Sequence, residues 1–76
     1  MAELLTYLAK QLVDNPDEVR VDQVDEHDSV VLRLHVAPDD VGKVIGRQGR
    51  IARALRQVIR AAGTTDRRRV HLEIVE

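Results

Sequence analysis

The chain of 76 residues contains no cysteine, no phenylalanine and no tryptophan, and Tyr7 is its single aromatic residue. The lack of cysteine excludes disulfide bonds, thiolate zinc sites and cysteine nucleophiles. The lack of aromatic rings argues against the RNA-binding modules, such as RRM and cold-shock domains, that stack bases on exposed rings. The apolar residues are nearly all Val, Leu, Ile and Ala, which suits a thin layer of helices packed on a sheet.

Long hydrophobic runs are absent as well. Polar side chains interrupt the first apolar stretch, from Leu4 to Val13, so neither a transmembrane segment nor a secretory signal is predicted. We therefore expect a cytoplasmic protein. A chain of this length is expected to form one domain over 1–76, with a small core that buries only about 60% of the surface exposed by the unfolded chain.

The net charge of −1 argues on its own against a nucleic-acid partner, but the two halves of the chain differ strongly in charge. Residues 1–40 carry three basic and ten acidic side chains, a balance of −7. Residues 41–76 carry nine basic and three acidic side chains, a balance of +6. This asymmetry favours a basic working face, while the alternative is a chance division that mixes when the chain folds.

Apolar periodicity predicts six regular elements. They are a helix over 2–14, a strand around 19–22, a strand over 30–36, a short helix from Pro38 to Ile45, a helix from Gly49 to about Ala62 and a strand over 70–74. A polar turn over 25–29 joins the first two strands as an antiparallel hairpin, and the last strand returns parallel through a right-handed crossover. We therefore predict an α+β fold, α-β-β-α-α-β, with a three-stranded mixed sheet covered on one face by three helices.

The long helix has the clearest apolar face. Its inward side chains are expected to be Ile51, Ala52, Leu55, Val58, Ile59 and Ala62. Gly63 stands where a C-terminal glycine commonly ends a helix. A polar stripe along this helix could extend a phosphate track, and it comprises Arg50, Arg53, Arg56, Gln57 and Arg60. Arg50 and Arg53, next to the glycine segment, are the favoured contacts. For Arg56 and Arg60 an ordinary solvated helix face is the alternative. The run Arg67-Arg68-Arg69 likewise either flanks a groove or solubilises a loop.

The segment Gly46-Arg47-Gln48-Gly49 places two glycines three residues apart, between two helical patterns. Glycine adopts positive φ at little cost and has no Cβ, so a ligand backbone can come close. The second helix begins near Gly49, and the free N–H groups of a helix N-terminus favour phosphate. Lys43, Arg50 and Arg53 surround the segment with positive charge, so we predict that they too contact the ligand.

Other phosphate loops fit this glycine segment poorly. A Walker loop would end in Gly-Lys-Ser or Gly-Lys-Thr, and a dinucleotide-binding loop would follow a strand rather than a helix. A plain glycine turn that joins two helices is the alternative interpretation.

No other set of side chains in the sequence predicts a site. The three histidines, His27, His35 and His71, lack the further ligands that a zinc site needs. Ser29 is the only serine and has no plausible base and orienting partner. We therefore expect no catalytic residue, no metal and no cofactor. The outer sheet face is expected to be either a partner surface or ordinary solvated sheet, and it holds Val31, Arg33, His35, His71 and Glu73.

The segment Ile45-Gly46-Arg47-Gln48-Gly49-Arg50-Ile51, in this order of elements, resembles a KH domain of the bacterial topology, type II. Over residues 2–76 the chain is similar to the family of single-domain bacterial KH proteins called KhpA. The specific part of the likeness is the segment from Asp40 to Ala52. Ala52 departs from the general pattern, because many KH domains have a large aliphatic residue three positions after the second glycine. The departure concerns the shape of the groove and not the loop.

The resemblance implies a groove that holds about four nucleotides of single-stranded RNA or DNA, clamped by the glycine loop. Gly46 and Gly49 would allow the close approach, Arg47 and Gln48 would meet the phosphates, and Ile45 would help to form an aliphatic floor under the bases. The resemblance also implies homodimers and pairing with a KhpB-like RNA-binding protein. The implied role is that of an RNA chaperone or post-transcriptional regulator linked to cell envelope growth and division.

Two hypotheses follow for the function. The first is a non-catalytic module that binds single-stranded RNA through the glycine loop. The second is a protein-interaction or dimerisation module that keeps the KH scaffold without direct RNA contact, and the slightly negative net charge favours it mildly. Crosslinks from RNA to residues 43–53 would support the first hypothesis, and their absence would support the second.

Overall fold

The computed structural model describes residues 1–63 and 68–76. Its helices and strands are α1 (Ala2–Leu12), β1 (Arg20–Asp25), β2 (Ser29–His35), α2 (Val41–Ile45), α3 (Arg50–Ala62) and β3 (Arg69–Ile74). Single turns of 3₁₀ helix lie between them at Pro16–Glu18, Pro38–Asp40 and Arg47–Gly49. The predicted order α-β-β-α-α-β is confirmed.

The central strand of the sheet is β2. It pairs antiparallel with β1, where Val24 lies opposite Val31, and parallel with β3, where Leu32 lies opposite Leu72. The hairpin between β1 and β2 is closed by the Glu26 N–H, which donates to the carbonyl oxygen of Ser29 at 2.8 Å. The predicted three-stranded mixed sheet is thus confirmed.

The core lies between the sheet and the helices. Alternation along β2 places Val30, Leu32 and Leu34 on the covered face, and all three are fully buried. Burial of a side chain of this size contributes about 1.5–3 kcal/mol. Each helix covers this strip with buried side chains, among them Leu5 of α1, Val44 of α2 and Ile59 of α3.

The first helix ends two residues earlier than predicted. Val13 is extended, with φ −100° and ψ 160°. The N–H groups of Asp14 and Asn15 donate to the carboxylate of Asp40, at 3.3 and 3.0 Å, instead of to helix carbonyls. A long-range contact therefore satisfies the backbone N–H groups that follow the end of α1.

The predicted inward face of α3 is wrong at Val58 and Ala62. Both residues are exposed, and Val58 keeps 44% of its surface. Val58 is exposed because α1 and α3 leave an open groove of about 360 Å³ between them, and Val58 lines this groove. Leu12 on α1 is 36% exposed at the same groove.

Gly63 ends α3 as predicted, but the reason is space and not a left-handed backbone. Its φ is −92°, a value that any residue adopts. A Cβ at this position would lie 2.6 Å from the Met1 sulfur and 3.2 Å from a methyl carbon of Val70. The glycine thus lets the end of α3 approach the N-terminus and β3 closely.

Part of the predicted basic run before β3 lies outside the described residues, namely Arg67 together with the rest of the segment 64–67. Arg68 is described, and its guanidinium lies 3.1 Å from the carboxylate of Asp25 at the end of β1. In the part of the chain that the structure covers, none of the helices has the length and hydropathy needed to cross a membrane.

Candidate nucleic-acid interface

The turn between α2 and α3 is built from three residues with positive φ. Gly46 has φ 77° and ψ 174°, Gln48 has φ 58° and Gly49 has φ 73°. The Gly46 N–H still donates to the carbonyl of Gly42 at 2.9 Å, and the Gly49 N–H donates to the carbonyl of Gly46 at 3.2 Å. The chain therefore reverses within four residues, and its tip, Arg47 and Gln48, is exposed.

The two glycines of this loop are needed for different reasons. The φ and ψ of Gly46 fall in a region that is essentially confined to glycine. A Cβ there would also lie 2.6 Å from Cγ1 and 2.9 Å from Cβ of Ile51. At Gly49 no heavy atom lies within 4 Å of the place that a Cβ would take, so only its left-handed backbone favours glycine.

The backbone conformation of Gln48 was not predicted from the sequence. Gln48 is the only non-glycine residue with positive φ in the described ranges 1–63 and 68–76. Glutamine gives no signal for this conformation, which costs an L-residue about 1–2 kcal/mol. Its side-chain carbonyl accepts a long hydrogen bond from Arg50 at 3.5 Å. Strain held at an exposed loop tip is a common property of binding sites.

The N-terminus of α3 opens directly onto this loop. No side chain of the described residues caps it, and its first turn holds no acidic residue. Arg50 and Arg53 lie there instead, both exposed. Cations at the positive end of a helix dipole are unfavourable, whereas an anion bound at that end is favoured. The arrangement therefore suits an anionic ligand better than it suits the isolated helix.

The ammonium group of Lys43 is ion-paired with two carboxylates. Its ammonium contacts the carboxylate of Asp14 and donates to Asp40 at 3.1 Å. Hydrogen bonds to Asp14 first, and then to Asp40, raise the pKa of Lys43 above its ordinary 10.5. The structure thus places this predicted RNA contact in an ion-paired network. The position of Asp40 at the centre of that network was not predicted, because its burial depends on residues about 25 positions away in the sequence.

The remaining predicted residues lie around the loop at different depths. Ile45 and Ile51 are half-buried on either side of it and leave aliphatic surface open. Arg56, farther along α3, donates from Nε to the Leu72 carbonyl of β3 at 3.4 Å. Arg60 lies ten residues after Arg50, about 15 Å along the helix axis. The structure therefore gathers Arg47, Gln48, Arg50 and Arg53 at one end of α3.

The histidines lie elsewhere and do not converge. His35 on the outer sheet face contacts the carboxylate of Asp22 at 3.0 Å through Nε2. Within the described ranges, no group of three or more histidine, aspartate or glutamate side chains has a geometry that could hold a metal. Arg33 and Glu73, 3.6 Å apart on the same face, form an exposed ion pair.

Helices on one face of a mixed sheet, two of them joined by a Gly-x-x-Gly turn, define a KH domain of type II. The chain matches the family model described as KhpA/KhpB, KH domain, over residues 2–74. It therefore belongs to the KhpA/KhpB family of KH domains.

Relatives of this chain share about half of its residues. It is 51% identical over 75 residues to the RNA-binding protein KhpA of Caldanaerobacter subterraneus subsp. tengcongensis, over 99% of this chain and 100% of the relative. It is 55% identical over 75 residues to the RNA-binding protein KhpA of Clostridium acetobutylicum, with the same coverage. For the protein of that name from Aquifex aeolicus the identity is 49%, over 100% of this chain and 96% of the relative. A search of solved structures found no match.

Proposed function

We propose that this chain is a non-catalytic protein that binds single-stranded RNA by gripping its backbone at Gly46-Arg47-Gln48-Gly49. The observation that carries the proposal is the uncapped N-terminus of α3, which opens onto a strained glycine loop and is surrounded by exposed arginines. The similar proteins from other bacteria that are named for RNA binding support it. In this proposal Arg47 and Gln48 meet phosphates, while Arg50 and Arg53 extend the contact.

The bases rest on aliphatic surface in this proposal. The chain has a single aromatic residue, Tyr7, on α1 and away from the loop in sequence. Ile45 and Ile51 flank the loop, and their half-buried side chains offer apolar contact to bases without stacking. Contacts of this kind discriminate weakly among bases, so we expect low sequence preference from a single copy.

A charge reversal at the loop tip tests the proposal. Arg47→Asp combined with Gln48→Asp should abolish binding of labelled single-stranded RNA, because the tip would repel phosphates. The fold should be retained, since both side chains are exposed and aspartate tolerates positive φ better than glutamine does. Fluorescence anisotropy measures binding, and circular dichroism measures folding and melting.

A matched control is available on β1. Arg20→Asp combined with Gln23→Asp makes the same change in charge at two exposed positions of an edge strand. That variant should keep most of its affinity. Equal binding by the loop variant and the unmodified protein would refute the proposed site. Wild-type binding that does not weaken with salt would also count against it, because phosphate contacts release counterions.

The second candidate function is an interaction module, and the groove between α1 and α3 favours it. Leu8, Leu12 and Val58 line this groove with apolar surface. The occupant that the family resemblance suggests is a second copy of the chain. Val58→Glu should then shift the sedimentation of the protein from dimer to monomer. If the groove is the whole function, ultraviolet crosslinking should give no RNA adduct within residues 43–53.

The finer parts of the proposal rest on the family resemblance alone. They are pairing with a KhpB-like RNA-binding protein, activity as an RNA chaperone or post-transcriptional regulator in the cytoplasm, and a link to cell envelope growth and division. A single domain that contacts about four nucleotides gains affinity when a second binding module is attached, which makes a dimer or a partner useful.

A further inference from the structure

Asp40 is the one charged residue, among those that the structure describes, with no exposed surface. Its carboxylate accepts hydrogen bonds from the backbone N–H of Asp14 at 3.3 Å and of Asn15 at 3.0 Å. It also accepts from the Asn15 side-chain amide at 3.2 Å and from the Lys43 ammonium at 3.1 Å. Four donors thus converge on one buried carboxylate, three of them from Asp14 and Asn15 and one from Lys43.

This arrangement joins the end of α1 to the start of α2. Asp14 and Asn15 follow α1 closely, while Asp40 immediately precedes α2. Lys43 lies one turn further along α2 and reaches back to both Asp14 and Asp40. We call these four residues, Asp14, Asn15, Asp40 and Lys43, the anchor network.

The helix held by the anchor network is too short to be stable on its own. The five residues of α2 are far below the length at which an isolated helix forms in water. Its C-terminus is Ile45, and the glycine loop begins at the next residue. The position of the loop therefore depends on the contacts that hold α2 in place. These are the burial of Val44 in the core and the anchor network at the N-terminal end of α2.

We propose that Asp40 and Lys43 are positioning residues for the nucleic-acid loop, and that Lys43 acts through this network and not by contacting phosphate. The inference rests on the proposed RNA-binding function and assigns roles within the same site. The lowered pKa of Asp40 agrees with it: burial raises this pKa, but the hydrogen bonds from Asp14, Lys43 and Asn15 outweigh burial and keep the carboxylate ionised.

Two variants that remove charges of opposite sign distinguish a positioning role from a direct electrostatic effect on RNA binding. Asp40→Asn removes a negative charge near the loop, so charge alone would strengthen RNA binding. Lys43→Gln removes a positive charge, so charge alone would weaken it. Loss of positioning predicts that both variants bind more weakly, by at least about fivefold, the lower end of ordinary coupling between two sites.

The salt dependence of RNA binding distinguishes a direct phosphate contact from a positioning role, because only the loss of a phosphate contact reduces the slope. Each phosphate contact to single-stranded nucleic acid contributes about 0.7 to the slope of log affinity against log salt. Arg47→Gln, a matched loss of one positive charge at the loop tip, should reduce this slope by about 0.7. Lys43→Gln should leave the slope unchanged. Asp39→Asn, at an exposed neighbour of Asp40, is the control for loss of a negative charge.

The experiment is an anisotropy titration of fluorescein-labelled oligouridine with each full-length variant, between about 50 and 200 mM KCl. It is done at a temperature at which circular dichroism shows every variant folded. Weaker binding by both Asp40→Asn and Lys43→Gln with an unchanged slope supports the inference. If Asp40→Asn does not fold, Lys43→Gln decides through its affinity and slope.

Three results would overturn the inference. A slope reduced in Lys43→Gln as much as in Arg47→Gln would show a direct phosphate contact. Unchanged affinity in folded Lys43→Gln would show that the network only stabilises the fold. Tighter binding by Asp40→Asn would show an electrostatic effect alone. Absence of salt-dependent binding by the unmodified protein would instead refute the proposed function itself.

Discussion

Replacing single glycines by alanine measures how strongly the loop depends on its backbone conformation. Gly46→Ala meets two penalties. Its backbone lies in a region that costs other residues about 1–3 kcal/mol. The new methyl group would lie 2.6 Å from Cγ1 of Ile51, a branched side chain with little freedom to move, which adds about 1–3 kcal/mol of overpacking.

Alanine also lowers the conformational entropy of the unfolded chain, which stabilises the folded protein by about 0.4–1 kcal/mol. The expected loss of unfolding free energy for Gly46→Ala is therefore about 1–6 kcal/mol, with a central value of about 3 kcal/mol. In a domain of this size a loss of about 3 kcal/mol lowers the melting temperature by at least about 10 °C. Urea denaturation followed by far-ultraviolet circular dichroism measures the loss directly, and the slope of the transition shows whether two-state behaviour is kept.

Two other glycines provide the matched series. Gly49→Ala has open space and only a left-handed backbone penalty of about 1–2 kcal/mol, so its net cost should be about 1 kcal/mol. Gly42→Ala lies inside α2 with nothing within 4 Å and should stabilise the protein by about 0.5–1 kcal/mol. Equal losses at Gly46 and Gly49, or a clear loss at Gly42, would refute this account of the loop.

Three further predictions concern the core, the loop tip and the anchor network. Leu32→Ala should cost about 2–5 kcal/mol in urea denaturation, because the side chain is fully buried at the centre of the sheet, and a loss below about 1 kcal/mol would contradict that placement. Gln48→Gly should leave stability unchanged or raise it by up to about 1 kcal/mol, since relief of the positive-φ strain outweighs the added freedom of the unfolded chain; a clear loss would mean that Gln48 is not strained. The pKa of Asp40 lies below its ordinary 3.8, so this carboxylate stabilises the fold above that pH, and its contribution is lost as the pH falls through the folded-state pKa. Acid titration by circular dichroism should therefore show a weaker pH dependence below about pH 4 in Asp40→Asn than in the unmodified protein, and identical acid transitions would contradict the role of Asp40.

Much of the fold was predictable because it depends on local patterns. The alternation of Val30, Leu32 and Leu34 predicted the strand over 30–36, since a period of two is a property of the strand backbone itself. The two glycines of the loop were recognisable because positive φ is tolerated by few residue types. Family membership, shown by the match over residues 2–74, follows from the same segments.

The site was predicted less completely than the fold. Arg47, Arg50 and Arg53 do lie together around the start of α3, as their spacing indicated. The positive φ of Gln48 had no signal in the sequence, because glutamine takes this conformation only when the residues on both sides impose it. Whether these residues contact RNA stays a prediction, which the loop variants test.

Contacts between distant segments account for the remaining differences. Lys43 was expected to face a ligand because it lies close to the glycine loop in the sequence. Its ion-pair partners are instead Asp14, which follows α1, and the buried Asp40, which immediately precedes α2. Val58 continued an apolar period, yet it stays exposed because α1 does not cover that flank of α3. Periodicity and glycine positions are properties of a few adjacent residues and could be inferred from the chain alone. Which charges pair, and which apolar side chains stay uncovered, depends on how the elements pack, and no local pattern contains that information.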